Sequence, residues 1–64
     1  MDQQDISKMI RQLRIDLGLT QEQFAAKVGV TFSTVNRWEN SVSKPSPLAM
    51  LRIERLQKKI NRNK

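Results

Sequence analysis

Apolar residues recur along this chain at the three- and four-residue spacing of helices that face a core. Ile6, Met9, Ile10, Leu13 and Leu17 form the first stripe and predict a helix over about residues 5–17. Gly18 follows directly, where a left-handed C-terminal cap commonly sits. Thr20 and Gln23 match a capping box. They open a second helix over about residues 20–28, with Phe24, Ala25 and Val28 as its buried face and Gly29 as its stop. Thr31 is a suitable N-cap for a third helix over about residues 31–40. Val35 and Trp38 point to one side of it, and Phe32, Ser33, Asn36 and Arg37 to another. The stretch Ser41-Val42-Ser43-Lys44-Pro45 reads as a loop.

Ser46 and Pro47 supply a cap and first position for a fourth helix over about residues 46–60. Ala49, Ile53, Leu56 and Ile60 line one face of it, with Leu48 nearby. Met50 and Leu51 fall off that stripe, as ordinary surface residues or as part of a dimer contact. Residues 61–64 are expected to fray. No segment alternates with period two and no hairpin turn dipeptide occurs. The expected fold is an all-α, four-helix bundle in one domain spanning residues 1–64.

Composition narrows the chemistry. The chain has no Cys, no His and no Tyr. Disulfides and thiolate metal sites are excluded, and the usual general base is missing. The carboxylates are scattered, and so small a helical domain leaves little room for a ligand-sized pocket. No enzyme, metal, cofactor or small-molecule ligand is expected. No apolar run approaches the roughly 20 residues that span a bilayer. The start, Met1-Asp2-Gln3-Gln4-Asp5, is polar and acidic, unlike a signal peptide. The expectation is a soluble, cytoplasmic protein.

Twelve Lys and Arg against six Asp and Glu give a net charge of +6, with six of the cations between Arg52 and Lys64. Such an excess suits a polyanion, though solubility alone accounts for several charges on a small domain. The basic fourth helix reads first as a core-closing stripe with a solvated face. Contact with flanking phosphates ranks second, and a membrane-surface helix third.

The most informative stretch runs from Gln21 to Glu39. Two helices joined by a tight turn near a right angle need a small residue at their crossing, which Ala25 supplies. They need a positive φ in the turn, which Gly29 accepts without a Cβ clash. Phe24 and Val28 with Val35 and Trp38 fill the wedge, and Val30 seals the turn. Trp38 shares a face with Val35, so it reads as core rather than as a stacking platform.

The runs Leu17-Gly18-Leu19-Thr20-Gln21-Glu22-Gln23-Phe24-Ala25-Ala26-Lys27-Val28-Gly29-Val30 and Thr31-Phe32-Ser33-Thr34-Val35-Asn36-Arg37-Trp38-Glu39-Asn40 resemble a known family. It is the helix-turn-helix domain of the phage lambda and 434 repressors and Cro proteins, the xenobiotic-response-element type. The resemblance covers roughly Ile6 to Leu56. It implies double-stranded DNA as partner, the third helix as the reader, a transcriptional regulator and most often a repressor. A homodimer on DNA would fit half-sites about 34–36 Å apart.

Base contacts are expected from Phe32, Ser33, Asn36 and Arg37. An Arg donates twice to guanine, and an Asn pairs with adenine or, from the edge of the face, with phosphate. Ser33 serves either base type or only steadies the first turn. Phe32 meets a thymine methyl, or packs on a neighbouring helix or a partner. Phosphate contacts are expected from Thr20 and Gln21 at the start of the second helix, where free amides attract an anion. Thr31 borders the reader and Thr34, expected to face outward, joins these contacts, while Asn40, Ser43 and Lys44 resemble the family's second backbone clamp. The resemblance also pairs Arg14 with Glu39.

Two departures stand out. The family usually has Gly where this chain has Ser41, so either Asn40 turns left-handed or Ser41 accepts strain. Phage repressor domains follow the loop with two short helices, and here one longer helix replaces them, giving four helices rather than five. The competing reading is a protein-interaction module, antitoxin-like or adaptor-like, using Phe32, Met50 and Leu51. RNA binding is weaker still, because two of the three aromatics, Phe24 and Trp38, read as buried.

Overall fold

A computed structural model describes the backbone of residues 3–62 and the side chains of residues 4–60. It contains four helices and, among the described residues, no strand. They are α1 (Gln3–Asp16), α2 (Gln21–Val28), α3 (Phe32–Glu39) and α4 (Pro47–Arg62). The expected all-α four-helix bundle is therefore the observed one. Two bounds shift. The first helix starts two residues earlier than the apolar stripe suggests, because Gln3 and Gln4 are good helix formers that need no buried partner. The last helix runs through Asn61 and Arg62, where fraying was expected. Residues 63 and 64 lie outside the described range.

The caps explain the boundaries. Thr20 sits in extended conformation, and its Oγ1 accepts from the Gln23 amide at 3.1 Å. Gln23 Oε1 accepts from the Thr20 amide at 2.9 Å, which completes the capping box. Gly29 ends α2 at φ 82°, and the Gly29 and Val30 amides both close on the Ala25 carbonyl. Gly18 ends α1 at φ 70°, with its own amide on the Ile15 carbonyl and the Leu19 amide on the Arg14 carbonyl. Thr31 caps α3, accepting from the Thr34 amide at 3.2 Å. Ser46 Oγ accepts from the Ala49 amide at 3.2 Å and opens α4 at Pro47.

The core gathers one residue set from every helix: Ile10 and Leu13, then Phe24, Ala25 and Val28, then Val35 and Trp38, then Ala49 and Ile53. Trp38 is buried with Val35, as their shared face requires. α3 packs on α1 and α2, while α4 closes over α1 and α2 from the far side. Met50 departs from expectation. It packs partly buried against the core, because its long unbranched side chain reaches back from the edge of the stripe. Leu51 stays exposed, as does Leu48.

Two polar groups strengthen this frame. Arg52 sends Nη1 to the Val28 carbonyl at 2.9 Å, so α4 caps the C-terminus of α2. A Cβ on Gly29 would lie 2.6 Å from that same nitrogen, so the turn has two reasons for glycine. Ser7 is buried at 6% exposure and donates to the Trp38 carbonyl at 2.6 Å. Its oxygen also lies 2.7 Å from Ser41 Oγ, which then must donate to it.

Ser41, not Asn40, takes the left-handed conformation, at φ 61° against −97° for Asn40. Its hydroxyl is held by Ser7, which recovers part of the conformational cost. Ser41→Ala is expected to lower stability by about 1 kcal/mol, the worth of a partly buried hydrogen bond. Ser41→Gly is expected to stay near wild type, because relief of about 1–2 kcal/mol of left-handed strain offsets the lost bond. Urea unfolding of the two variants beside wild type checks this. Equal losses would mean that left-handed strain contributes nothing, and an unchanged Ser41→Ala that the Ser7 contact contributes nothing.

Candidate nucleic-acid interface

One turn of helix places residues three and four apart on the same side. On α3 this rule divides the chain cleanly. Val35, Trp38 and Glu39 are buried, whereas Phe32, Ser33, Asn36, Arg37 and Asn40 are exposed. Four of the exposed five are the expected base-reading residues. Phe32 is 49% exposed and shares a shallow depression with Arg14, Thr20, Gln21 and Glu22 at the start of α2. The Arg37 guanidinium is exposed and makes no hydrogen bond or ion pair within the described residues. Asn36 Oδ1 accepts from Asn40 Nδ2 at 3.3 Å. That leaves both Asn36 amide protons and a second oxygen lone pair for a partner.

The expected phosphate residues fall into two groups. Thr20 and Gln21 lie at the start of α2, Thr31 and Thr34 at the start of α3. Thr20 is exposed, and its hydroxyl oxygen is already the helix cap. Thr34 is half-buried rather than outward-facing, with its hydroxyl 2.9 Å from that of Thr31. Asn40, Ser43 and Lys44 follow α3, with Asn40 and Lys44 exposed and Ser43 half-buried.

Behind this surface lies a charged cluster. Glu39 has a side chain only 1% exposed. Arg14 grips it in a fork, Nε to Oε2 at 2.7 Å and Nη2 to Oε1 at 3.1 Å. The third guanidinium nitrogen, Nη1, donates to the Leu19 carbonyl at 3.1 Å. Gln21 Nε2 donates to Glu39 Oε1 at 3.2 Å, and Arg11 Nε stands 3.5 Å from the same oxygen. Burial alone would push the Glu39 carboxyl up. The hydrogen bonds from Arg14, Gln21 and Arg11, with the Arg14 charge, outweigh it and hold the carboxyl below the usual carboxylate range. The same fork raises the Arg14 guanidinium, against the opposing effect of its own burial. Among the described residues, every buried side-chain polar atom has a partner.

The Arg14–Glu39 pair is thus present as the resemblance implied. The link from Gln21 to Glu39 is new, and it ties the first residue of α2 to the last residue of α3. Ser7 was also missed, although it sits one turn before Ile10 and two before Arg14 on the face that meets α3. Among the described residues no cluster of acids fit to hold a metal occurs, and no helix is long and apolar enough to cross a membrane.

A family model described as helix-turn-helix matches residues 10–59. The match spans α2 and α3 whole, half of α1 and most of α4, so the chain belongs to the helix-turn-helix family. Its type is that of the lambda repressor and Cro, and it is a DNA-binding domain. Comparisons with curated proteins and with solved structures find no match.

Glu39→Gln is expected to lower stability at about pH 7 by about 3 kcal/mol, because it leaves the Arg14 charge uncompensated. The carboxyl titrates lower folded than unfolded. Its stabilising effect is therefore complete above the ordinary carboxylate range and is lost as pH falls through the folded value. The gap between wild type and Glu39→Gln is expected to narrow below about pH 4. Urea midpoints at neutral and acid pH check this, and a gap independent of pH would refute the ionic origin.

Proposed function

We propose that this domain recognises a specific sequence in double-stranded DNA, with α3 in the major groove, and regulates transcription, chiefly by repression. The observation that carries the reading is the exposed face of α3, where Arg37 is unengaged and Phe32, Ser33 and Asn36 flank it. A major groove admits one helix and shows a distinct edge pattern for each base pair. Arg37 donates two bonds to guanine, Asn36 pairs with adenine, Ser33 serves either base, and Phe32 meets a thymine methyl.

Affinity comes from the phosphates. The amides at the start of α2 lie beside Thr20 and Gln21 at the positive end of the helix dipole. Thr31 and Thr34 add hydroxyls at the start of α3. Asn40, Ser43 and Lys44 hold the backbone on the other side of the groove. The domain acts as a single module in the cytoplasm, without catalysis or cofactor, and pairs with a second copy on symmetric half-sites.

Selection from a random duplex pool, followed by titration of the winners against salt, tests the reading. A recovered inverted repeat is the expected result. Absence of duplex binding at low salt would refute it and favour a protein-binding module built on the exposed Phe32 and Leu51. Arg37→Ala is expected to cost about 1–3 kcal/mol on the selected site and relax preference at one position. Its binding to unrelated duplexes is expected to change little. Lys44→Ala is expected to weaken binding to all sequences alike and to lower the salt slope by about one unit.

A further inference from the structure

We propose that α1 carries a third DNA-backbone clamp, formed by Lys8 and Arg11 with Gln4, beside the exit of the reading helix. The inference rests on the DNA-binding reading and extends its footprint to a helix with no assigned contact. Gln4, Lys8 and Arg11 follow one another at helical spacing and share one exposed face of α1. With Ser7, Glu39 and Ser41 they line one depression, where α1 passes the end of α3. The residues that follow Ser41 lead directly to Ser43 and Lys44, so this depression continues the clamp after the reading helix.

The electrostatics favour an anion there. Glu39 is a negative charge on the floor, but Arg14 already neutralises it in a fork at 2.7 and 3.1 Å. Arg11 stands farther off, at 3.5 Å through Nε alone, and its side chain is 56% exposed. Its two terminal nitrogens are therefore surplus to the pair. Lys8 is exposed and makes no ion pair among the described residues. Glu39, Arg14, Arg11 and Lys8 together leave two positive charges at the rim. The negative end of the α3 dipole, which would oppose an anion, is quenched. Three of its last four carbonyls, those of Asn36, Arg37 and Trp38, are taken by the amides of Asn40, Val42 and Ser41 and by the Ser7 hydroxyl. Of the acids of α1, Asp16 lies on a different face, whereas Asp5, three residues before Lys8, borders the rim on the side away from Arg11. A row of phosphates has the charge and spacing that such a pair of cations fits.

The test titrates wild type, Lys8→Gln, the double variant Lys8→Gln with Arg11→Gln, and Lys27→Gln against a labelled random-sequence duplex over a salt series. Each phosphate contact contributes about 0.9 to the slope of log affinity against log salt. Lys8→Gln is expected to lower the slope by about one unit and the double variant by about two, on any duplex sequence. Lys8→Gln leaves the fold intact, since its ammonium holds nothing else, and an unchanged melting temperature verifies that. Lys27→Gln, at the far end of α2, removes the same charge and is expected to leave the slope alone. If Lys8→Gln and the double variant keep the wild-type slope while Lys44→Ala lowers it, the α1 clamp is wrong and the DNA-binding reading survives. If Lys27→Gln lowers the slope as much as Lys8→Gln, the effect is one of net charge and the clamp is likewise overturned. If wild type binds no duplex, both readings fail together.

Discussion

The carboxylate of Glu39 is the point on which the interface turns. It ends α3, yet its partners come from elsewhere: Arg11 and Arg14 from α1, and Gln21 from α2. A buried ion pair is weak evidence of added stability, because desolvation consumes much of the attraction. Its contribution here is geometric. A domain that reads a groove must hold its reading helix and its phosphate-binding amides in one fixed relation. The fork from Arg14 fixes the angle between α1 and α3. The Gln21 amide then fixes where α2 begins relative to where α3 ends. An apolar residue at position 39 could fill the same space, but it would release Gln21 and leave the Arg14 charge unpaired.

Turn geometry depends on a second layer of polar restraints. A chain this short buries a modest share of its surface and has no disulfide to compensate. The wedge between α2 and α3 is filled by Phe24, Val28, Val35 and Trp38, which resist compression but not twisting. Twist is limited at the two turns. Arg52 closes the Val28 carbonyl at the first, and Ser7 closes the Trp38 carbonyl and Ser41 at the second. α4 therefore does more than cover the core through Ala49 and Ile53. It reaches across to hold the very turn that sets the crossing angle.

Most of the fold was legible in the sequence, because each helix announces itself twice, by an apolar stripe and by a cap. Thr20 with Gln23, Gly29, Thr31 and Ser46 with Pro47 all cap where their chemistry suggests. What was hidden is of one kind: polar side chains whose partners lie far along the chain. Arg52 reads as one cation in a basic run, since nothing local reveals the Val28 carbonyl 24 residues away. Ser7 reads as a neutral interruption of an apolar stripe. Arg14 and Glu39 are 25 residues apart, and only family resemblance joined them. Gln21 was read as a phosphate ligand alone, because its bond to Glu39 depends on a crossing angle that periodicity does not encode. At position 41 the sequence left two left-handed candidates, and the Ser7 hydroxyl selects Ser41 over Asn40.

This division bears on how affinity and specificity would be separated under the proposed function. The exposed face of α3 carries a single cation, Arg37, among short or neutral side chains. Short groups such as Ser33 and Asn36 reach base edges only if the helix lies deep in the groove. Depth is not set by those groups themselves. Under that reading it would be set by where the phosphates are gripped, at the start of α2, in the loop after α3 and along the rim of α1. The Glu39 cluster reaches the first through Gln21 and the third through Arg11, while Ser7 ties the second to α1 through Ser41. A change in that cluster would alter the seating of the reading helix without removing any reading residue. Specificity in this chain would then depend on a buried carboxylate that no base ever meets.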